Sequence, residues 1–365
     1  MDPLNQIVNL IKARSGATQL CVLRYGEVVL DLSVNCEPDA LFMLWSTGKP
    51  LTTMAVHLLA ERGLLDLDEP IHRTWPGYER HGKRAVTTRH VLRHRSGVPL
   101  STGSVLCDAL AMSSWDRSVR AAENAKPKWP VDQADAYHIL SYGFILGELV
   151  RRVDGRPIAQ FIREEILSPA GLRDTHLGLT PATTPKRIPL AAPSRGEPRA
   201  SPGERLKLAH FERHAAAAEV IPAANVHSTA RDVARFYQLL LNDGVLDDRR
   251  VFTPSAIAEA LRPSLPDTAA AQPDRIIGHP VRWAQGFQLG WGDLPVPTAH
   301  PFGHTASRTV FGHNGSNYCA AWADPAHGLA FAHLTNLVAP RPEALRHQTQ
   351  IADLVRGAWQ DGRHG

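Results

Sequence analysis

The chain has 365 residues, 43% of them hydrophobic and 21% charged, which supplies a buried core and excludes both a disordered tail protein and a fibrous repeat. Lys and Arg total 40 against 36 acids, a net charge of +4, and the basic residues are scattered, so the electrostatic stripe of a nucleic-acid binder is not indicated. No stretch reaches the roughly 18 uncharged apolar residues that a membrane-spanning helix needs.

The first residues, with an acid at position 2 and no long apolar run, do not read as a secretion signal, and a cytoplasmic protein is expected. Residues 19–33 place apolar runs on either side of Tyr25-Gly26, predicting two antiparallel strands joined by a tight turn. From Ser46 the period changes. Leu51, Met54, Ala55, Leu58 and Leu59 form one apolar helical face that stops at Gly63, with Pro50 tolerated in the first turn. Helical patterns are predicted over 88–95, 137–153, 158–167 and 230–241. The proline-rich stretch 180–204 reads as a long surface loop. Short strands return at 318–323 and 329–335 about Asp324-Pro325, and a helix is predicted over 342–359. The order is strand-rich, helical, strand-rich. It predicts an α/β fold in which an antiparallel sheet flanked by helices is built from both chain ends, residues 1–75 and 283–365. A mainly helical region, 76–282, is inserted between them, and the whole forms one catalytic unit.

Four cysteines, Cys21, Cys36, Cys107 and Cys319, are too widely separated for a metal or redox motif and read as free thiols. His90 and His94 have the i, i+4 spacing of a zinc pair, but only His81 is near as a third ligand, and Arg93 and Arg95 make the neighbourhood cationic. They read as capping or core histidines, and neither a metal nor a cofactor is expected. No G-x-S-x-G elbow, HExxH, Walker loop or G-x-G-x-x-G fingerprint occurs. The remaining candidate is Ser46-Thr47-Gly48-Lys49, which opens the first long helix directly after an apolar run. A serine hydroxyl attacks poorly until a base takes its proton, and a desolvated lysine amine one helical turn away is such a base.

Two further motifs follow at a distance, Tyr137-His138-Ile139-Leu140-Ser141-Tyr142-Gly143 and Phe311-Gly312-His313-Asn314-Gly315-Ser316. With Ser46-Thr47-Gly48-Lys49 and the stretches 86–92 and 94–99, they make the chain resemble the serine β-lactamase-like superfamily, in its class C-like carboxylesterase and acyltransferase branch, from about residue 15 to about 336. The resemblance implies a β-lactamase/transpeptidase-like fold and an acyl-enzyme on Ser46. It implies that Lys49 and Tyr137 form a proton-relay pair in which the phenol is drawn toward phenolate. It also implies an oxyanion hole from the backbone N–H groups of Ser46 and Ser316, and substrate contacts at His313, Asn314 and Gly315, the glycine letting substrate come close.

Two positions depart from the pattern of β-lactamases and penicillin-binding relatives. Ile139 stands where they usually carry Asn, and His313 where they carry Lys, which removes a side-chain amide and a permanent cation. Both point away from β-lactam and peptidoglycan substrates. The expected activity is hydrolysis of a small-molecule ester. A transacylase passing the acyl group to an alcohol or amine, and a scaffold without catalysis, are the alternatives. Trp45, Trp283, Trp291, Tyr318 and Trp322 are as compatible with a core as with an acyl pocket.

Overall fold

In the computed structural model, which describes residues 3–194, 196–199, 201–213, 217–266, 272–294, 300–316, 319–338 and 340–360, Tyr25 and Gly26 both adopt positive φ, 50° and 89°. That pair of left-handed residues matches the twist of a tight hairpin and joins β1 (Thr18–Arg24) to β2 (Glu27–Val34). The chain then forms β3 (Phe42–Met43), which pairs with β5 (Val226–Ser228); β4 (Thr175–Leu177) takes the other edge of β5. A small hairpin, β6 (Val245–Leu246) and β7 (Arg249–Arg250), follows. The main sheet is completed by β8 (Gln288–Leu289), β9 (Phe311–Asn314), β10 (Ala320–Asp324) and β11 (Leu329–Thr335). Its order is β2-β1-β11-β10-β9-β8, antiparallel throughout, with Thr18 opposite Thr335 and Arg24 opposite Leu329. The sheet is thus built from both chain ends, as the strand pattern predicts.

Alternation along β1 sorts the core into two layers. Leu20 and Val22 pack with Ile7 and Ile11 of the helix Pro3–Lys12 and with Ile351 and Val355 of the helix Arg341–Gln360. Cys21 and Leu23 face the opposite layer, where the helix Ala230–Leu241 covers β1, β10 and β11. That helix therefore belongs to the sheet although it lies within 76–282. On the first face a fully buried ion pair, Arg356 Nε to Asp324 Oδ2 at 2.6 Å, ties the last helix to β10, with the guanidinium 4.3 Å from the Trp322 ring centroid.

The helix Lys49–Glu61 is the hub of the second layer. Every residue from Lys49 to Leu59 is buried, so the single apolar face read from the spacing is an underestimate. Its polar members are satisfied inside. Thr52 Oγ1 donates to Pro222 O at 3.1 Å, Thr53 Oγ1 lies 2.7 Å from Tyr142 Oη, and His57 Nε2 lies 3.0 Å from Gln285 O.

Several predicted boundaries shift. The pattern over 137–153 resolves into a helix Ser141–Asp154, and that over 88–95 into a helix Thr88–Leu92. The loop 180–204 contains a short turn of helix at Thr184–Lys186, and a further helix, Pro202–Phe211, begins inside it. Helices Val105–Ala111, Trp115–Asn124 and Pro254–Ala260 were not anticipated, although Ser104, Ser114 and Thr253 each cap one by accepting a backbone N–H. The four cysteines are free. Tyr318 lies outside the described residues. Among the described residues no helix is long and apolar enough to cross a membrane.

Burial holds many imidazoles neutral. Desolvation pushes His57 and His138 down to about 4, and His227 and His300 down to about 3. An unfolded histidine titrates near 6.5, so below that pH the unfolded chain binds more protons than the native one. Stability is therefore complete above about pH 6.5 and lost as pH falls toward 4. Thermal unfolding followed by circular dichroism should show a midpoint that is level from pH 7 to 8 and declines steadily below 6.5; a midpoint unchanged at pH 5 contradicts neutral burial.

Candidate active site

Ser46 is the second residue of a tight helical turn, Trp45–Gly48, that runs directly into the helix Lys49–Glu61. The turn is fixed from behind by Leu44 N donating to Val226 O of β5 at 2.8 Å, and Trp45 enters it at φ 52°, a conformation uncommon outside glycine. At the second position of a helical turn the backbone N–H has no intrahelical acceptor, so Ser46 offers a donor as well as a half-buried hydroxyl.

Lys49 lies one turn on, fully buried, with its Nζ 3.0 Å from Ser46 Oγ. The amine also donates to Ile139 O at 2.9 Å and to Ala223 O at 3.1 Å. Among the described residues no carboxylate offsets the charge, and burial pushes the lysine pKa well below its ordinary value. The second motif supplies the space for this arrangement. A Cβ on Gly143 would sit 2.4 Å from Ala223 N, so only glycine lets the helix Ser141–Asp154 press against the segment whose carbonyl faces Lys49.

Tyr137 precedes that helix and occupies an irregular stretch. Its ring stacks on Trp283, centroids 5.4 Å apart and 3° from parallel, and meets the edge of His94 at 4.8 Å. Lys49 Nζ sits 4.8 Å from the centre of the phenol ring. Ser46 lies beside the phenol and favours its ionised form, yet the buried phenolic oxygen completes no hydrogen bond of good geometry. Burial prevails and raises the tyrosine pKa above its ordinary value. This corrects the expectation of a phenol drawn toward phenolate: the lysine meets the ring, and desolvation keeps the proton on the oxygen.

The third motif lies on β9 and the turn after it. His313 is buried, its Nδ1 donates to Asn314 O at 2.7 Å, and Nε2 has no partner. Desolvation and the nearby Lys49 lower it to about 3, so the ring is neutral and supplies no cation. Asn314 is held at both ends of its amide, Oδ1 accepting from Gln288 Nε2 at 3.2 Å and Nδ2 donating to Gln348 Oε1 at 3.1 Å. Its side chain therefore braces the sheet against the last helix. A Cβ on Gly315 would meet Leu44 O at 2.8 Å and Thr47 Oγ1 at 3.0 Å. The close approach that glycine permits here is to the nucleophile turn. Ser316 is the next residue in the chain.

The histidine pair has other work. His90 Nδ1 accepts from the Thr87 backbone N–H at 3.1 Å and completes a helix cap. His94 lies beyond the end of its helix at φ 60°, which voids the i, i+4 argument, and its Nδ1 accepts from His138 N at 3.1 Å. His138 bonds Ser96 Oγ at 2.6 Å and Ala136 O at 2.7 Å, a structural role. Sequence reasoning left Trp283 among ambiguous aromatics and missed His94 as a wall of the tyrosine site.

The model of the family described as Beta-lactamase matches residues 5–356. The chain belongs to the beta-lactamase family. Membership makes it an enzyme of the serine acyl-transfer type. The esterase/beta-lactamase LipL of Mycobacterium tuberculosis (strain ATCC 25618 / H37Rv) is 29% identical over 354 residues, covering 88% of this chain and 77% of that protein. A penicillin-binding protein homolog from Caulobacter crescentus superposes with a TM-score of 0.80 at 25% identity, over 98% of this chain and 96% of that one. A family VIII carboxylesterase superposes with a TM-score of 0.77 at 24% identity, over 96% of each chain. As in those structures, this beta-lactamase-family fold combines an antiparallel sheet with many helices.

If the carbonyl of Ala223 fixes the amine, Gly143→Ala should displace it and slow acylation on the order of 100-fold, the scale of an ångström's misplacement. Labelling of Ser46 by a fluorophosphonate measures this, and an unchanged labelling rate in folded Gly143→Ala protein contradicts the role given to Ala223.

Proposed function

We propose that the protein hydrolyses a small-molecule carboxylic ester through an acyl-enzyme on Ser46. The observation that carries this reading is the setting of Lys49, whose amine faces Ser46 Oγ at 3.0 Å while two carbonyls occupy its remaining directions. A neutral amine has two N–H bonds and one lone pair. With the N–H bonds directed to Ile139 O and Ala223 O, the lone pair is left for the serine proton.

As Oγ bonds to the ester carbon, its proton passes to Lys49 Nζ, and the carbonyl oxygen takes the negative charge. The N–H groups of Ser46 and Ser316 serve as its donors. The tetrahedral intermediate then expels the alcohol. The proton held by Lys49 returns to the leaving oxygen, with the neutral phenol of Tyr137 as the relay beside Ser46. In the second half a water attacks the acyl carbon, gives its proton through the same pair, and Ser46 leaves with a proton restored. A tyrosine kept protonated by burial suits the acid role, and a lysine kept neutral by burial suits the base role.

An ester is favoured over a β-lactam by two side chains. At 139 the isoleucine contributes only its carbonyl, to Lys49, and at 313 the imidazole is neutral, so neither supplies the amide or the cation that the resemblance associates with those substrates. The Mycobacterium tuberculosis relative carries the name esterase/beta-lactamase, which supports acyl-enzyme hydrolysis and names both substrate classes.

Turnover of a short p-nitrophenyl ester should fall by on the order of 1,000-fold or more in Ser46→Ala, with the unfolding midpoint retained. Equal rates in the variant would falsify the acyl-enzyme.

The pH profile tests the base. Because the amine acts only when neutral, kcat/KM should rise with pH along a limb lying well below the ordinary lysine value, in the direction set by burial. Lys49→Arg carries a guanidinium that does not lose its proton, so its activity should stay low up to pH 10. Recovery of Lys49→Arg at high pH, or a limb near 10.5, counts against Lys49 as base.

A further inference from the structure

We propose that Asp274 is a positioning residue for Tyr137, its buried carboxylate clasping the tyrosine backbone from a loop 137 positions further along the chain. The inference rests on the reading of Tyr137 as part of the proton relay.

The stretch that carries Tyr137 belongs to neither a helix nor a strand, so its amides need partners from outside. Ala136 N donates to His94 O at 2.9 Å and His138 N to His94 Nδ1 at 3.1 Å. The amide between them is held by Asp274 Oδ1 at 3.1 Å. The same oxygen accepts from Ile276 N at 2.8 Å and Ile277 N at 2.9 Å, which fixes the carboxylate within its own loop. That loop is closed on itself by Gly278 N to Asp274 O, 2.8 Å, and Asp274 N to His279 O, 3.1 Å. A second clasp, Arg275 N to Asp135 O at 2.9 Å, fastens it to the tyrosine segment. Tyr137 is therefore gripped three ways: by its amide, by Trp283 on one ring face, and by the edge of His94.

Asn or Ser would cap such a loop equally well, so the buried charge calls for its own reason. Asp274 is 1% exposed, and its Oδ2 takes no hydrogen bond. Three amides share the load on Oδ1, yet burying a carboxylate with its other oxygen unmet is expensive. Its field acts on the phenol against that of Arg341, Asp274 holding the proton on and Arg341 drawing it off. Arg341 is oriented by His279, whose Nε2 lies 3.1 Å from Nη2 while its Nδ1 donates to Pro280 O. The other groups about the phenol are Ser46, Lys49 on the ring, the His94 edge, and His313, whose ring centroid is 6.1 Å away. Asp274 thus holds Tyr137 in place, and its charge adds a smaller contribution to the burial that keeps the phenol protonated.

The experiment is a double-mutant cycle on the full chain with p-nitrophenyl acetate, supported by unfolding midpoints. Asp274→Ala should lower kcat on the order of tenfold with KM within about twofold, and Asp274→Ala added to Tyr137→Phe should cost less than about twofold more. Asp274→Asn, which keeps an oxygen acceptor, should recover most of kcat and move the alkaline limb of the profile to lower pH. An equal loss from Asp274→Ala with and without the phenol overturns the proposal. Should Asp274→Ala fail to fold, an Asp274→Asn profile superposing on the native one also overturns it. Full activity in Tyr137→Phe removes the relay and this inference together, while the loss in Ser46→Ala would leave the ester hydrolysis standing.

Discussion

A lysine amine out of reach of water and of any carboxylate among the described residues loses much of the stabilisation of its charged form, and its N–H groups must be met by neutral acceptors. In this protein they are the carbonyls of Ile139 and Ala223, from two segments far apart in sequence. That requirement decides where three stretches of chain meet. The helix Lys49–Glu61 has to be buried on every side, the lead-in to the helix Ser141–Asp154 has to stay irregular so that a carbonyl points inward, and the segment before β5 has to lie against Gly143.

The same constraint accounts for the company around the amine. His94, His138 and His313 are all kept neutral by burial, and the tyrosine is kept protonated by it. A carboxylate beside the lysine would restore its proton; the buried acid Asp274 is instead attached to the backbone of Tyr137. Burial lowers Lys49, whereas the phenol, raised by burial, also feels two opposed charges. One environment thereby sets an acid and a base apart.

Much of this was legible because it is periodic or local. Positive φ at Tyr25-Gly26, the apolar face of the helix at 230–241 and the i, i+3 step from Ser46 to Lys49 are each written within a dozen residues. The tyrosine of the second motif was legible through resemblance, but its helix begins four residues later than the pattern suggests, and the irregular stretch is what turns the Ile139 carbonyl inward. Other features have no local signature. The carbonyl of Ala223 belongs to the backbone and leaves no mark in residue identity. Asp274 and Trp283 reach Tyr137 only through the tertiary fold. For Asn314 and Gly315, assigned to substrate from their motif, the fold adds framework contacts that the motif does not announce, an amide between two glutamines and a glycine against the nucleophile turn. The His90–His94 pair proved a cap and a core residue as read, and a left-handed residue ends the helix on which their i, i+4 spacing would have counted.

The pairing of β1 with β11, Thr18 against Thr335, bears on how the molecule is made. On a ribosome, the first strand emerges more than three hundred residues before its neighbour exists, with only β2 beside it and both apolar faces uncovered. An isolated two-stranded hairpin is marginal in water, so the nascent chain has to carry this hydrophobic ribbon until β11 is made. The strand bearing His313 is joined to β1 by way of β10 and β11, so the pocket closes only after β11 has been made. Substitutions that quicken collapse of the closing segment should therefore matter more to yield in cells than to the stability of the finished enzyme.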